Sequence, residues 1–254
     1  MNTNKQYLNL KLKGYQLLLN LNRPLFWWYY KLETRRRQIH LQAGTSGEIN
    51  ERPYEYAFAL QHLPYGENIK VLDVGTGKTA FGALLKNCNY FVDCLESTQY
   101  RRGWLPLNTH CNLINDDIVN TVLPENTYDA VTCISVLEHI EQYDQAVKNM
   151  VKILKPGGRL ILTIPFNHNR FIENCYTQKE SNRHQQNVSI ICKVYSIREM
   201  EKWCTSNNAR VGKQVLGRCW SGPFWNSGEW LRSYNIVTKE EQHDHCCLVL
   251  IKNE

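Results

Sequence analysis

The sequence predicts an α/β protein with a Rossmann-like, doubly wound sheet of seven strands, mostly parallel, and helices on both faces. Three observations predict it. A short apolar run, Ile69, Val71, Leu72 and Val74, ends abruptly in glycines, the pattern of a buried strand entering a tight turn. Strand-like and helix-like segments then alternate, which calls for a parallel sheet with crossover helices. Finally, acids stand at the ends of predicted strands, the side on which such sheets bind ligands.

Taken in order, residues 1–50 read as a separate helical extension or cap. Leu8, Leu12, Tyr15 and Leu19 share one helical face, and the aromatic run Phe26–Tyr30 and the triple Arg35, Arg36, Arg37 follow. Such a segment suits either a membrane surface or packing as a cap on the domain. The domain proper is expected over 51–254, opening with a helix that carries Tyr54, Phe58 and Leu60. After the first strand and its glycine turn, a helix is expected from Ala80 to Lys86 and a second strand over 90–97, ending at Glu96. A third strand over 111–118 ends at Asp116 and Asp117, and a fourth, DAVTCIS, runs into Leu137, Glu138 and His139. Val147, Met150, Val151 and Leu154 then mark a helix that stops at Lys155, Pro156, Gly157, Gly158. RLILTIPF is the fifth strand. A polar stretch, 173–190, lacks periodicity, and its Asn187–Ser189 pair matches a glycosylation acceptor. Ser196 and Glu199 form a capping box for a further helix through Cys204, and RVGKQVLGR and HCCLVLIK complete the strands. Between those last two lies an aromatic-rich insertion at about 217–244, too long for an ordinary hairpin and therefore functional or disordered.

Composition narrows the classes. The 254 residues carry a net charge of +6 and 43% hydrophobic residues, ordinary for a soluble protein. The positive charge is concentrated before residue 42, where Glu33 is the single acid, so the remainder lacks the basic face of a duplex-binding enzyme. No apolar run is long enough to span a bilayer, no signal peptide is visible, and the 10 cysteines include no C-x-x-C pair. A reducing, cytoplasmic location is expected, with no nucleic-acid partner. The cluster His243, His245, Cys246, Cys247 runs straight into a strand and lacks the spaced pairs of a zinc site, so no metal is expected.

The glycine turn, VLDVGTGKTAFG, carries the chemistry. Gly75 and Gly77 let a ligand approach the backbone, and the following helix start presents N–H groups. A P-loop would need glycine where Leu72 stands. The dinucleotide pattern G-x-G-x-x-A is met by Gly75, Gly77 and Ala80, with Glu96 about 20 residues on. A third reading, D-x-G-x-G, places Asp73 beside the bend, where a carboxylate can meet a cofactor's ammonium group. Glu96 suits a ribose diol; Asp116 or Asp117 suits an adenine amino group, with Ile118 against the ring, or else caps a helix.

The ordered series VLDVGTGKT, CLES, NDDI, YDAVTCISVLEH and LKPGGRLILTIP resembles the class I S-adenosyl-L-methionine (SAM)-dependent methyltransferases, in their small-molecule branch, over about residues 65–170. The resemblance implies a SAM site, with S-adenosyl-L-homocysteine as product. Its methionine end lies by Asp73, Gly75, Thr76 and Gly77, its ribose by Glu96, and its adenine by Asp117, with Ser135 and Leu137 as a wall after the fourth strand. It also implies that the last two strands form an antiparallel pair. Thr79 replaces the third glycine of the family's turn. Methyl transfer to an oxygen or nitrogen of a natural-product, sugar-like or lipid-like acceptor is then expected. His168 and His139, both beyond strand ends, are the candidates for a base. Trp220, Trp225 and Trp230 are candidates for an acceptor pocket, or else for packing against the aromatic prologue. A non-catalytic partner docking through the basic segment is the reading from another class.

Overall fold

The computed structural model describes residues 51–254 apart from 78, 80, 98–111 and 187. The prologue and its membrane or cap readings lie outside the described residues, as do Ala80 and Asn187.

Helix α1, Arg52–His62, has a proline in its first turn, where the missing N–H costs no helical bond. The chain continues through β1 (Lys70–Val74), α2 (Phe81–Asn87), β2 (Phe91–Glu96), β3 (Asn112–Asn115) and β4 (Tyr128–Ile134). A 3-10 turn, Leu137–His139, leads to α3 (Tyr143–Ile153) and β5 (Leu154–Pro165). The remaining elements are α4 (Ile197–Ser206), β6 (Ala209–Trp220), β7 (Trp230–Val237) and β8 (His245–Lys252). The capping box at Ser196 is formed as expected, with the Glu199 carboxylate accepting from the Ser196 N–H at 2.9 Å.

Among the described residues the sheet has eight strands in the order β3-β2-β1-β4-β5-β8-β6-β7. The first five are parallel, and β8 runs antiparallel to both β5 and β6. The expected count of seven is therefore corrected. The extra strand, WLRSYNIV, lies inside the aromatic insertion and pairs antiparallel with β6 at the sheet edge. Its aromatic and β-branched residues suit a strand, and pairing satisfies backbone that a long loop would leave to solvent. The Lys-Pro-Gly-Gly segment also does more than stop a helix. Leu154 is already extended, with φ −67° and ψ 144°, so these residues open β5.

Chain order reverses between β1 and β4, which opens a crevice at their C-terminal ends. Both faces of the sheet are covered, and the period of two along the strands sorts the core. Leu160, Leu162, Leu248 and Leu250 join Val147, Met150 and Trp203 on one side. Ile161, Cys247 and Val249 join Phe58, Leu63, Phe81 and Leu85 on the other. This double burial is why these strands read as continuous apolar runs. No helix among the described residues is long and apolar enough to cross a membrane.

Candidate functional site

β1 delivers the glycine turn to the crevice. Gly75 and Gly77 adopt φ of +69° and +54°, open to glycine and strained for other residues. The turn hangs on the end of β2: Gly75 N–H donates to the Leu95 carbonyl at 2.9 Å, and Gly77 N–H donates to Glu96 Oε2 at 2.8 Å. Glu96 is buried, and burial raises its pKa against the Gly77 bond that lowers it. Thr79 occupies the relaxed third-glycine position with a role of its own. Its hydroxyl donates to the Thr76 carbonyl at 2.8 Å and stands at the start of α2.

A Cβ at Gly75 would lie 2.5 Å from Val136 Cγ1. Gly75→Ala therefore combines a left-handed backbone with overpacking, at a cost of about 1–3 kcal/mol. Thermal unfolding of the variant should show this directly. A midpoint equal to that of the unchanged protein would contradict the geometry.

Asp73 is 3% exposed at the end of β1. Its Oδ1 accepts from Thr132 Oγ1 at 2.8 Å, and burial pushes its pKa up to about 6 against that bond and against the neighbouring Thr76 hydroxyl. Among the described residues, Asp73 Oδ2 and Thr76 Oγ1 are buried without a hydrogen-bond partner. Both residues line a small cavity with Gly75, Thr79, Phe81 and Ile134, and with Arg52 and Tyr56 of α1. Buried polar atoms left without partners mark a place built for a polar ligand.

α1 supplies the part of the site that sequence reasoning missed. Glu55 is fully buried and binds three groups: Arg52 Nη1 at 3.0 Å, Ser135 Oγ at 2.6 Å and His245 Nε2 at 3.0 Å. Burial alone would raise its pKa, but Arg52, His245 and Ser135 pull it down to about 2. Burial likewise works against a charged His245, and Cys247 and Glu55 beside it hold it well above the usual imidazole range. The other ring nitrogen, Nδ1, meets the Tyr234 hydroxyl at 3.0 Å, and the Tyr234 ring stacks on Tyr54 of α1 at 4.1 Å. The cluster thus ties α1 to the ends of β4 and β8 and to β7. The weak local sign of it was the i, i+3 pair Arg52 and Glu55, which reads equally as a surface pair.

The other expected residues are distributed as follows. Asp116 folds back on its own loop, accepting from Asp117 N at 2.8 Å and Thr121 Oγ1 at 2.5 Å. Asp117 is exposed and accepts from Val119 N at 2.9 Å, while Ile118 is buried beside Leu95 in the core. Ser135 stands at φ +50° with its N–H on Thr163 and its hydroxyl on Glu55. The Leu137 side chain is core, and its carbonyl accepts from Tyr195. His139 is half-exposed, with Nδ1 at 2.6 Å from the Ile191 carbonyl. His168 packs edge-on to Phe166 and His243, and its backbone N–H donates to His243 Nε2 at 3.2 Å. Its Nδ1 is buried without a partner, and burial lowers its pKa. None of these contacts joins His168 to the glycine-turn cavity.

The three tryptophans do come together. Trp220 lies 6.2 Å from Trp225 and 6.4 Å from Trp230 between ring centres, and Trp225 lies 5.5 Å from His245. The aromatic group therefore abuts the buried Glu55–His245 pair. Asp244, fully buried, fixes the Trp220 end by accepting from the Cys219 and Trp220 N–H groups at 2.9 and 2.8 Å. Burial holds its pKa up at about 6 despite those bonds. Of the His/Cys cluster, His243 supports the His168 backbone and His245 serves Glu55.

Comparisons with known proteins identify the family and the fold. Residues 49–214 match the family model described as a methyltransferase domain. The chain is 26% identical over 126 residues to a ubiquinone biosynthesis O-methyltransferase of Rickettsia typhi, covering 47% of this chain and 51% of that protein. It is 26% identical over 100 residues to a demethylmenaquinone methyltransferase of Streptomyces avermitilis, covering 37% and 41% respectively. The chain thus spans about half or less of the length of these curated relatives. Its fold superposes with a TM-score of 0.53 on the 1,6-didemethyltoxoflavin-N1-methyltransferase of Burkholderia thailandensis, solved with S-adenosylhomocysteine. That likeness covers 89% of each chain at 13% identity, and shows the fold alone.

Proposed function

The chain belongs to the methyltransferase-domain family, and from that premise we propose that it transfers a methyl group from SAM to an oxygen or nitrogen of a small-molecule acceptor. The observation that carries this reading is that Asp73 Oδ2 and Thr76 Oγ1 are buried without a well-formed hydrogen bond, on two residues that line the glycine-turn cavity. An anionic ligand would be repelled by a buried carboxylate there; a ligand with an ammonium group and hydroxyls fits.

In this reading Asp73 holds the cofactor's ammonium, the Gly75–Gly77 backbone lies against its methionine end, Glu96 takes the ribose hydroxyls, and Asp117 and Ile118 border the adenine. The bound cofactor supplies a methyl group on a sulfonium, an electrophile that needs no further activation. What remains for the protein is to bind, align and exclude water. The aromatic group Trp220, Trp225 and Trp230 suits the last two tasks for a flat or cationic acceptor. The R. typhi and S. avermitilis relatives are named for ubiquinone biosynthesis and for demethylmenaquinone, which supports a small-molecule acceptor.

Calorimetric titration with SAM and S-adenosylhomocysteine tests the reading. Micromolar binding is expected, and Glu96→Ala should weaken it tenfold or more, about 1.4 kcal/mol. That variant loses both the ribose acceptor and the carboxylate that holds Gly77. A folded protein that binds neither compound overturns the proposal.

A further inference from the structure

Glu138 is 3% exposed, and among the described residues its Oε2 has no hydrogen-bond partner. Its Oε1 stands 3.8 Å from His139 Nε2, too far for a hydrogen bond. The Oε2 atom in this position has given up hydration without a hydrogen bond in return, a condition native folds rarely keep without use. Burial raises its pKa, with the Glu55 charge adding to this and His139 and Arg52 opposing it.

The place of Glu138 in the fold supplies the use. It sits in the 3-10 turn just past β4, three residues beyond the Ser135 that bonds Glu55. β4 is the neighbour of β1, so the turn flanks the crevice into which Asp73 opens. Arg52 borders the cavity and acts electrostatically on Glu138. From behind, the turn is held firmly: Lys193 N–H donates to the Glu138 carbonyl at 3.0 Å, and the Tyr195 hydroxyl donates to the Leu137 carbonyl at 2.8 Å. The backbone is fixed, and Oε2 of the carboxyl group is left without a partner.

We propose that Glu138 receives the methyl acceptor, its free oxygen taking the hydrogen bond of the acceptor's O–H or N–H group and then the proton itself. This rests on the methyl-transfer reading above. The acceptor's lone pair forms the new bond to the methyl carbon, the carbon–sulfur bond breaks with its electrons left on sulfur, and the acceptor's proton passes to the Glu138 carboxylate and on to water. The acceptor class is thereby narrowed to protic, uncharged groups: hydroxyls and neutral amines that carry a hydrogen.

The test uses Glu138→Gln and Glu138→Met beside the unchanged protein, with catechol and tyramine as acceptor probes and methyl-labelled SAM. Three readouts are taken: S-adenosylhomocysteine affinity, turnover and thermal midpoint. Affinity should stay within about twofold, because Glu138 serves the acceptor. For a probe that is methylated, kcat should fall about 100-fold or more, the usual scale for losing a general base. The midpoint of Glu138→Met should rise by about 2–4 °C, since an unmatched buried carboxyl is removed. A structural glutamate would do the opposite, so a falling midpoint in both variants, or turnover within about threefold of the unchanged protein, overturns the proposal. If neither probe is methylated, the sign of the midpoint shift decides. Failure of the unchanged protein to bind S-adenosylhomocysteine would instead remove the methyl-transfer reading, independently of the midpoints.

Discussion

Replacing Glu55 with alanine should cost about 3–5 kcal/mol of folding stability, the scale for removing one partner of a buried charged cluster. Glu55 is fully buried and carries the compensation for Arg52 and His245 at once. Alanine would leave two cations facing an emptied pocket, with the Ser135 hydroxyl unpaired beside them. Against a typical total of about 5–15 kcal/mol, that is a large share. The pH dependence follows from the same carboxylate. Its pKa falls from 4.5 unfolded to about 2 folded, so its contribution is fully present above about pH 4.5 and is lost as pH falls towards 2. Urea unfolding at pH 7 and pH 3 checks both points. A loss below about 1 kcal/mol at pH 7 would mean that the cluster is ornamental to the fold.

Asp73→Asn should lower SAM affinity by about 30-fold or more, the cost of removing a buried carboxylate from a charged partner, roughly 2–5 kcal/mol. The amide retains an oxygen for the Thr132 hydroxyl, so the β1 end keeps its shape. The sign of the stability change is opposite to that for Glu55. Asp73 is raised from 3.8 to about 6, so the stability associated with its protonated form is present below about pH 3.8 and is lost as pH rises through about 6. At pH 7 the asparagine variant should therefore be more stable than the unchanged protein without ligand, by up to about 3 kcal/mol. A ligand ammonium favours the ionised carboxylate, so the affinity of the unchanged protein should climb between about pH 5 and 7. Asp244 titrates in the same range, and comparing the two proteins cancels it. Equal affinity in both, or the same pH profile in both, would remove Asp73 from the cofactor site.

The sequence disclosed what depends on near neighbours. The glycine turn was legible because Gly75 and Gly77 interrupt an apolar strand, and both indeed take left-handed conformations. Glu96 was legible because a strand end about one βα unit downstream must return beside that turn; it bonds Gly77. The Ser196 capping box is local and was found intact. The Glu55–His245 contact is the reverse case. Its partners are 190 positions apart, and neither is flanked by a pattern that asks for the other. The strand inside the aromatic insertion was hidden for another reason. Trp230–Val237 is mixed in polarity because it lies at an edge, so it lacks the apolar run that announced the inner strands. Asp116 shows how one residue type serves two ends: the same strand-end acid that suits a ligand is used to tie its own loop.

The position of β8 has a consequence for how the molecule assembles. It follows β6 and β7 in sequence but lies between β5 and β6 in the sheet. A chain emerging from its N-terminal end can therefore pair β1 to β5, and with them the glycine turn and Glu96, while β6 and β7 have no sheet to join. They are joined to β5 through β8, and the pairing of β8 with β5 also places His245 at Glu55. Closing so distant a contact is slow relative to the local pairings. The sheet from β3 to β5, with the glycine turn and Glu96, is thus closed by contacts among residues before 166, whereas the aromatic half and the Glu55 lock depend on β8.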